Sequence, residues 1–386
     1  MDTLERAEPA VLDDEHRMLR EQIRRFVENE IVPQADEWER DGRVPREVFR
    51  KLGALGLLGM RHPERYGGGG LGPLASVILG EELARSTYGG VTAAITVHTD
   101  MSMVHIAERG TDDQKRKYLP PVIAGEKIGA VCMTEPGAGS DVAGVRTRAV
   151  RDGDAWVING GKTYITNGVY GDIYIVAART DPEAKPSRGL SLFIVEKDMP
   201  GFHVITEFKK HGWRSSDTAE LIFDDLRVPA ENLLGEPGRG FHYLMSTLQN
   251  ERLVAGAMAT GQMSRAVELT ADYLRTRKAF GKTLWEQPVV RNKLAWWASK
   301  ATAVRALLYS CARMLEHGQD AVREVSMLKA YGCETLQEVL HGCLQLHGGI
   351  GYIEGTPIER MVRDARILTI GGGATELMLE EVAKRL

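Results

Sequence analysis

Apolar residues recur at helical spacing near both ends of the chain and at strand spacing through its middle. Over residues 13–29, Leu19, Ile23, Phe26 and Val27 share one side of an otherwise charged segment, which predicts a helix. The same period returns over 45–58 and 74–85. Between them lie Pro63 and the run Tyr66-Gly67-Gly68-Gly69-Gly70, which no helix tolerates. A further helix is predicted over 95–106, with His98, Ser102 and His105 on one face. Such a face suggests a metal or an acid–base pair. No third ligand stands nearby at a usual spacing, so a polar wall or a packed, hydrogen-bonded histidine is the better reading. Thr111 followed by Asp112 and Asp113 reads as a helix start, and Pro120-Pro121 as its end.

From 128 to about 235 the runs shorten to 155–158, 172–176 and 191–195, separated by Gly, Asp, Pro and Asn, a β texture. Asn159-Gly160-Gly161 predicts a hairpin turn between two of the strands. Beyond Gly240 helical spacing resumes to 275, over 288–315 and over 324–346, which predicts a four-helix bundle. Gly348-Gly349-Ile350-Gly351 and Gly371-Gly372-Gly373 are loops beside its helices. The expected fold class is thus α+β multidomain: a helical N-terminal domain (1–127), a central β domain (128–236) and a C-terminal helical bundle (237–386).

A net charge of -4 over 386 residues, without a basic stripe, argues against nucleic acid as a partner. The four cysteines, Cys132, Cys311, Cys333 and Cys343, are scattered and include no Cys-x-x-Cys pair, which predicts reduced, buried thiols and no zinc site. Asp, Glu and Arg are mixed through the first thirty residues, and no apolar run is long enough to span a bilayer. The expectation is a cytoplasmic protein with no membrane partner.

The chemistry centres on Met133-Thr134-Glu135-Pro136-Gly137-Ala138-Gly139-Ser140-Asp141, where an apolar run opens into a loop able to approach a ligand closely. It is not a dinucleotide fingerprint, because Val142 stands where the third glycine belongs and no long helical pattern follows. Three later stretches complete the picture: Lys162-Thr163-Tyr164-Ile165-Thr166-Asn167-Gly168, Arg277-Lys278-Ala279-Phe280-Gly281-Lys282, and Gln345-Leu346-His347-Gly348-Gly349. In order, type and spacing the four resemble the acyl-CoA dehydrogenase family of flavoenzymes, from about Leu12 to the C-terminus.

The resemblance implies FAD, an acyl-CoA substrate, a homotetramer and an electron-transferring flavoprotein as acceptor. It implies that Met133, Thr134, Tyr164 and Thr166 contact the flavin. Arg277, Phe280, Gln345 and Gly349 would reach the FAD of a neighbouring subunit. A guanidinium such as that of Arg277 suits pyrophosphate. Ser140 would contact the CoA part. Two positions depart from the family pattern, with Pro288 in place of a FAD-contacting Gln and Ala374 in place of a Thr.

Many relatives carry the catalytic glutamate in a C-terminal Tyr-Glu-Gly-Thr loop, but here that loop reads Gly371-Gly372-Gly373-Ala374. A smaller branch, including the long-chain and isovaleryl enzymes, places it on a C-domain helix before an Arg, and Glu251-Arg252 matches. Arg252 then falls on the substrate side. The residues point the same way: Leu244, Leu248, Ala255 and Met258 form an apolar stripe that passes through 251. Burial there raises a carboxyl's proton affinity, as a base working near neutral pH requires. The Gly372 N–H is then available to hold the thioester carbonyl. Glu376 is the rival base, though it fits better as an acid in the first turn of the last helix. The expected reaction is α,β-dehydrogenation of an acyl thioester to the trans-2-enoyl product, the α proton going to Glu251 and the β hydride to flavin N5. A flavin oxidase or monooxygenase on the same fold, or a non-catalytic acyl-CoA-binding flavoprotein, are the alternatives.

Overall fold

The computed structural model describes residues 12–386. The first eleven residues of the expected N-terminal domain lie outside it. Helices occupy the first third: α1 (Asp14–Phe26), α2 (Ala35–Asp41), α3 (Arg46–Ala54), α4 (Pro73–Ala84), α5 (Gly89–Thr96), α6 (Met103–Arg109) and α7 (Asp112–Ile123). The amphipathic α1 buries Ile23 and Phe26, whereas α4 is buried along its whole length, sandwiched between α1 and the long C-terminal helices.

Two expectations for this part are corrected. The segment 95–106 is not one α-helix. Its middle, Val97–Ser102, is π-helical and joins α5 to α6. The prolines do not end α7, which continues to Ile123. Proline's fixed φ is helical, and its missing donor and its crowding of the carbonyl a turn earlier act on the preceding turn, so the Ala124 N–H still reaches the Pro120 carbonyl at 3.0 Å. Thr111 does cap the start of α7, in a reciprocal box with Gln114.

The middle third is one eight-stranded sheet of β1 (Gly129–Cys132), β2 (Arg148–Asp152), β3 (Ala155–Thr166), β4 (Ile173–Arg179), β5 (Leu190–Glu196), β6 (Phe202–Glu207), β7 (Thr218–Pro229) and β8 (Leu233–Leu234). Its path is β6-β7-β3-β2-β4-β5-β8, with β1 parallel to β4. β4 and β5 are buried over almost their full length, which explains their unbroken apolar runs.

The hairpin expected at Asn159-Gly160-Gly161 is absent, because β3 runs straight through those residues. The turn between β2 and β3 lies instead at Gly153, with φ +60°. The Asn-Gly step makes a bulge: the register with β7 shifts between Ile158 and Gly160. A Cβ on Gly160 would meet Thr147 at 2.6 Å, so the glycine is needed for close packing of the two chain segments.

The last third is the bundle of α8 (Gly240–Thr276), α9 (Pro288–Glu316) and α10 (Val322–His347), followed by α11 (Pro357–Ala365) and α12 (Thr375–Ala383). α12 packs along α10 as the fourth bundle member, while α4 lies across α8 and α9 and ties the two helical domains into one core. A two-stranded ribbon, β9 (Lys278–Ala279) and β10 (Lys282–Thr283), projects between α8 and α9. No helix among the described residues is long and apolar enough to cross a membrane.

Candidate active site

β1 and β3 bring Met133, Thr134, Tyr164 and Thr166 to one end of the sheet. The Thr163 N–H donates to the Thr134 carbonyl at 2.9 Å. A second irregularity in β3, between Lys162 and Ile165, leaves Tyr164 with φ +59°, mostly exposed, its ring 5.4 Å from that of Phe208. Asn167, just past the strand, donates to the carbonyls of Ala94 and Gly129 at 2.9 and 3.2 Å, which locks this end of β3 to α5 and β1.

The loop after Met133 is held from beneath by a pair that sequence reasoning missed. Lys162 is fully buried, and its Nζ donates to Glu135 Oε1 at 2.8 Å and to the Met133 carbonyl at 3.1 Å. Glu135 also accepts from the N–H groups of Arg146 and Thr147 at 2.7 and 3.0 Å. Burial alone would raise this carboxyl's proton affinity, but the Lys162 ammonium and the backbone donors outweigh it and hold it below the usual carboxylate range. Lys162 is a charged residue at an inward position of a strand, and that signal was legible. Its partner, 27 positions earlier in a loop, was not.

Above this anchor the tip of the loop is open. Nothing stands within 4 Å of where a Cβ on Gly137 or Gly139 would lie, and Ser140 is exposed. Phe241, at the start of α8, packs beneath the loop on Ala138 and Val145.

Glu251 and Arg252 sit in the N-terminal third of α8. Leu244, Leu248, Ala255 and Met258 are all buried, and Glu251 is buried with them. Burial pushes the Glu251 carboxyl up to about 7, although Arg252 and the Thr247 hydroxyl pull the other way. Met133 packs into the same apolar cluster as Leu244, so the loop after β1 and the helix bearing Glu251 share a wall.

The Gly371–Gly373 stretch reaches the same place. A Cβ on Gly373 would lie 3.9 Å from Arg252 Nε, itself buried without a hydrogen-bond partner. Gly372 is exposed with φ +66°. Lys329, buried on α10, donates its Nζ to the Gly373 carbonyl and so fixes a loop that has no side chains of its own. A lysine on the apolar face of α10 was a readable signal of the same kind as Glu251. Glu376 is exposed in the first turn of α12. Ala374 is the N-cap there and offers no side-chain oxygen to the helix.

The remaining predicted residues gather elsewhere. Arg277 and Gly349 line a cleft of about 380 Å³ together with Tyr273, His347 and Gly348, where the rings of Tyr273 and His347 stack at 4.6 Å. Gln345 is exposed on the last turn of α10. Phe280 is 99% exposed at the tip of the β9–β10 ribbon, with φ +53°. Pro288 opens α9 at its first position, where a missing N–H costs nothing.

The histidines of 95–106 build no polar wall. His98 is packed and hydrogen-bonded, its two ring nitrogens facing the Val122 carbonyl and the Gly129 N–H at 3.2 and 3.0 Å. Ser102 turns back to the Val97 and His98 carbonyls, and His105 is buried without a partner.

The open glycine loop, the exposed Tyr164 and the Arg277 cleft are concave or uncovered polar surfaces that fit parts of a flavin dinucleotide. They lie on two different domains of the chain.

Family models described as the N-terminal, middle and C-terminal domains of acyl-CoA dehydrogenase match residues 13–126, 130–226 and 238–386. The chain is 42% identical over 377 residues to the mitochondrial long-chain specific acyl-CoA dehydrogenase of Mus musculus, covering 97% of this chain and 87% of that protein. The crystal structure of an acyl-CoA dehydrogenase from Geobacillus kaustophilus superposes with a TM-score of 0.94 at 42% identity, covering 97% of this chain and 99% of that one. A glutaryl-CoA dehydrogenase from Mycobacterium smegmatis in complex with FADH2 does so with 0.93 at 29% identity, covering 100% and 97%. With three domain matches and near-complete coverage, the chain belongs to the acyl-CoA dehydrogenase family of oxidoreductases and takes FAD as its cofactor.

Proposed function

We propose that the protein converts an acyl-CoA thioester to its trans-2-enoyl-CoA, with Glu251 as the base that removes the α proton. One observation carries this reading: Glu251 is a carboxylate buried in an apolar helix stripe, its proton affinity lifted to about 7, where a base works best near neutral pH.

The substrate's α carbon meets the Glu251 carboxylate, which takes the proton. The Gly372 N–H, in a loop pinned by Lys329, donates to the thioester carbonyl as negative charge builds on it. Ser140 holds the CoA portion at the mouth, and Arg252 lines the wall beside the Gly371–Gly373 stretch. Met133, Thr134, Tyr164 and Thr166 would hold the flavin ring, while Arg277, Phe280, Gln345 and Gly349 would serve the cofactor of a neighbouring copy. Bound there, FAD would supply the hydride acceptor for the β hydrogen.

The reading extends to a cytoplasmic homotetramer that passes electrons to an electron-transferring flavoprotein. Phe280, Val289 and Trp296, exposed by 99, 64 and 62%, support a partner copy over the C-terminal domain. The four reduced, buried cysteines agree with a reducing compartment.

The test is a panel of acyl-CoA thioesters given to the yellow holoenzyme under anaerobic conditions. The expected result is bleaching of the flavin by at least one of them. Prompt reoxidation should follow with an electron-transferring flavoprotein and only slow reoxidation in air. Peroxide release at the rate of turnover would move the assignment to an oxidase.

A further inference from the structure

Next to Glu251 on the helix is Asn250, and Asn250 belongs to a buried polar cluster that the chemistry above does not use. Its centre is Asp100, 3% exposed, on the π-helical stretch Val97–Ser102. Asp100 Oδ1 accepts from the Ser76 hydroxyl and from Asn250 Nδ2, the latter at 3.2 Å. Its Oδ2 accepts from Thr99 Oγ1 at 2.6 Å. Arg61 donates to Asn250 Oδ1 and stands 3.7 Å from Asp100 Oδ1. The loop after α3, α4, the π-helical stretch and α8 therefore meet at one carboxylate.

Hydrogen bonds alone do not call for an acid here. An asparagine could meet the same partners, with its amide donating to Thr99, without burying charge, and burying charge is costly. A buried negative charge close to Glu251 opposes the ionisation of Glu251, and Asp100 is among the groups that raise its proton affinity. Asp100 stands on a π-helical stretch, a distortion common at functional sites.

The other charged groups around Glu251 do not do this. Arg252, on the same helix, pulls in the opposite direction and is itself influenced by Glu381 and Arg385 at the C-terminal end. Lys329 on α10 faces Arg252 and the Gly373 carbonyl. His62, beside Arg61, is pushed by burial to about 4 and is neutral at working pH.

We propose that Asp100 is a positioning residue for this reaction: through Asn250 it fixes the turn of α8 that carries Glu251, and it sets a buried negative charge beside that turn. This rests on Glu251 being the base. The partly exposed Arg61 moderates the charge of Asp100 and is the second handle on the same interaction.

The experiment follows the pH dependence of flavin reduction by a competent acyl-CoA in a single turnover. In parallel it follows exchange of the α hydrogen of a bound thioester with deuterated solvent, a readout that needs no net oxidation. In Asp100→Asn the inflection should move to lower pH by at least about half a unit, the scale of one neighbouring charge. The plateau rate and the exchange rate should each fall roughly 3- to 10-fold, as a weaker base dictates. In Arg61→Gln the inflection should move the other way, to higher pH. Opposite shifts are a signature that loss of packing cannot produce. An unmoved inflection in both variants, whatever happens to thermal stability, overturns the proposal. If Asp100→Asn does not retain FAD, Arg61→Gln decides alone, and a shift to lower pH or none refutes it. Failure of the underlying assignment looks different: Glu251→Gln would then keep both α-hydrogen exchange and the inflection.

Discussion

Two carboxylates on either side of the site are both buried and behave in opposite ways. Glu135 meets the Lys162 ammonium and two backbone N–H groups and is held below the usual carboxylate range. Glu251 lies among Leu244, Leu248, Ala255 and Met258 and is lifted to about 7. The first is a strut that shapes the loop after Met133, and the second is poised to take a proton. Burial is common to both, so burial is not what separates a structural acid from a base. The separation comes from whether donors are aimed at the charge.

The largest expected effect comes from breaking the strut. Glu135→Gln leaves the Lys162 ammonium buried without its counter-charge, which should cost about 3–5 kcal/mol of stability. Thermal melting should show it, with earlier release of FAD on heating. Adding Lys162→Met should restore part of the loss, since removing both charges is less harmful than removing one.

Glu251→Gln should do the reverse. Flavin reduction should slow by at least ~10²-fold while FAD content and thioester binding survive. Stability should respond to pH with a definite sign. Because folding raises the carboxyl from the ordinary 4.5 to about 7, its contribution is fully present below 4.5 and is lost as pH rises through 7. The glutamine variant has no charge to bury, so relative to the parent it should gain at pH 8, by at most about 3 kcal/mol. A melt at pH 5 beside one at pH 8 would check this.

Moving the carboxylate sharpens the comparison further. In Glu251→Gly with Gly372→Glu, the new side chain finds open space, since nothing lies within 4 Å of the Cβ position. The φ of +66° nevertheless costs a glutamate about 1 kcal/mol. Recovery of roughly 10-fold over Glu251→Gln is expected in stopped-flow flavin reduction, short of the parent rate.

The smallest effect concerns the second buried lysine. Lys329 spends its donor on the Gly373 carbonyl, whereas Lys162 has a carboxylate. Lys329→Met removes one hydrogen bond and one buried charge together, so the fold should tolerate it. Flavin reduction should fall only about 3- to 10-fold, the worth of one hydrogen bond holding the Gly371–Gly373 stretch.

Much was legible in the chain because it rests on period and local chemistry. Leu244, Leu248, Ala255 and Met258 repeat at helix spacing, so the burial of Glu251 could be read directly. Thr111 and Gln114 make a capping box from their spacing alone. The short runs at 172–176 and 191–195, set off by Gly, Asp and Pro, read as strands, and they are. The helical, β and helical order followed from these periods.

Tertiary structure decided what depends on partners far along the chain. Asn159-Gly160 has the composition of a hairpin turn, yet Thr147 packed against it makes it a bulge within β3. His98 and Asp100 stand two positions apart and look alike as polar residues in an apolar segment. One is a packing histidine held by Val122 and Gly129, and the other becomes the hub that joins Ser76 to Asn250. Both stand on the π-helical stretch, so no regular helical period tells which partners either will meet. Local sequence sets which residues are buried. The proton affinity of a buried acid is set by the donors and charges that the fold brings to it, and those come from segments as distant as Arg61 and Asn250.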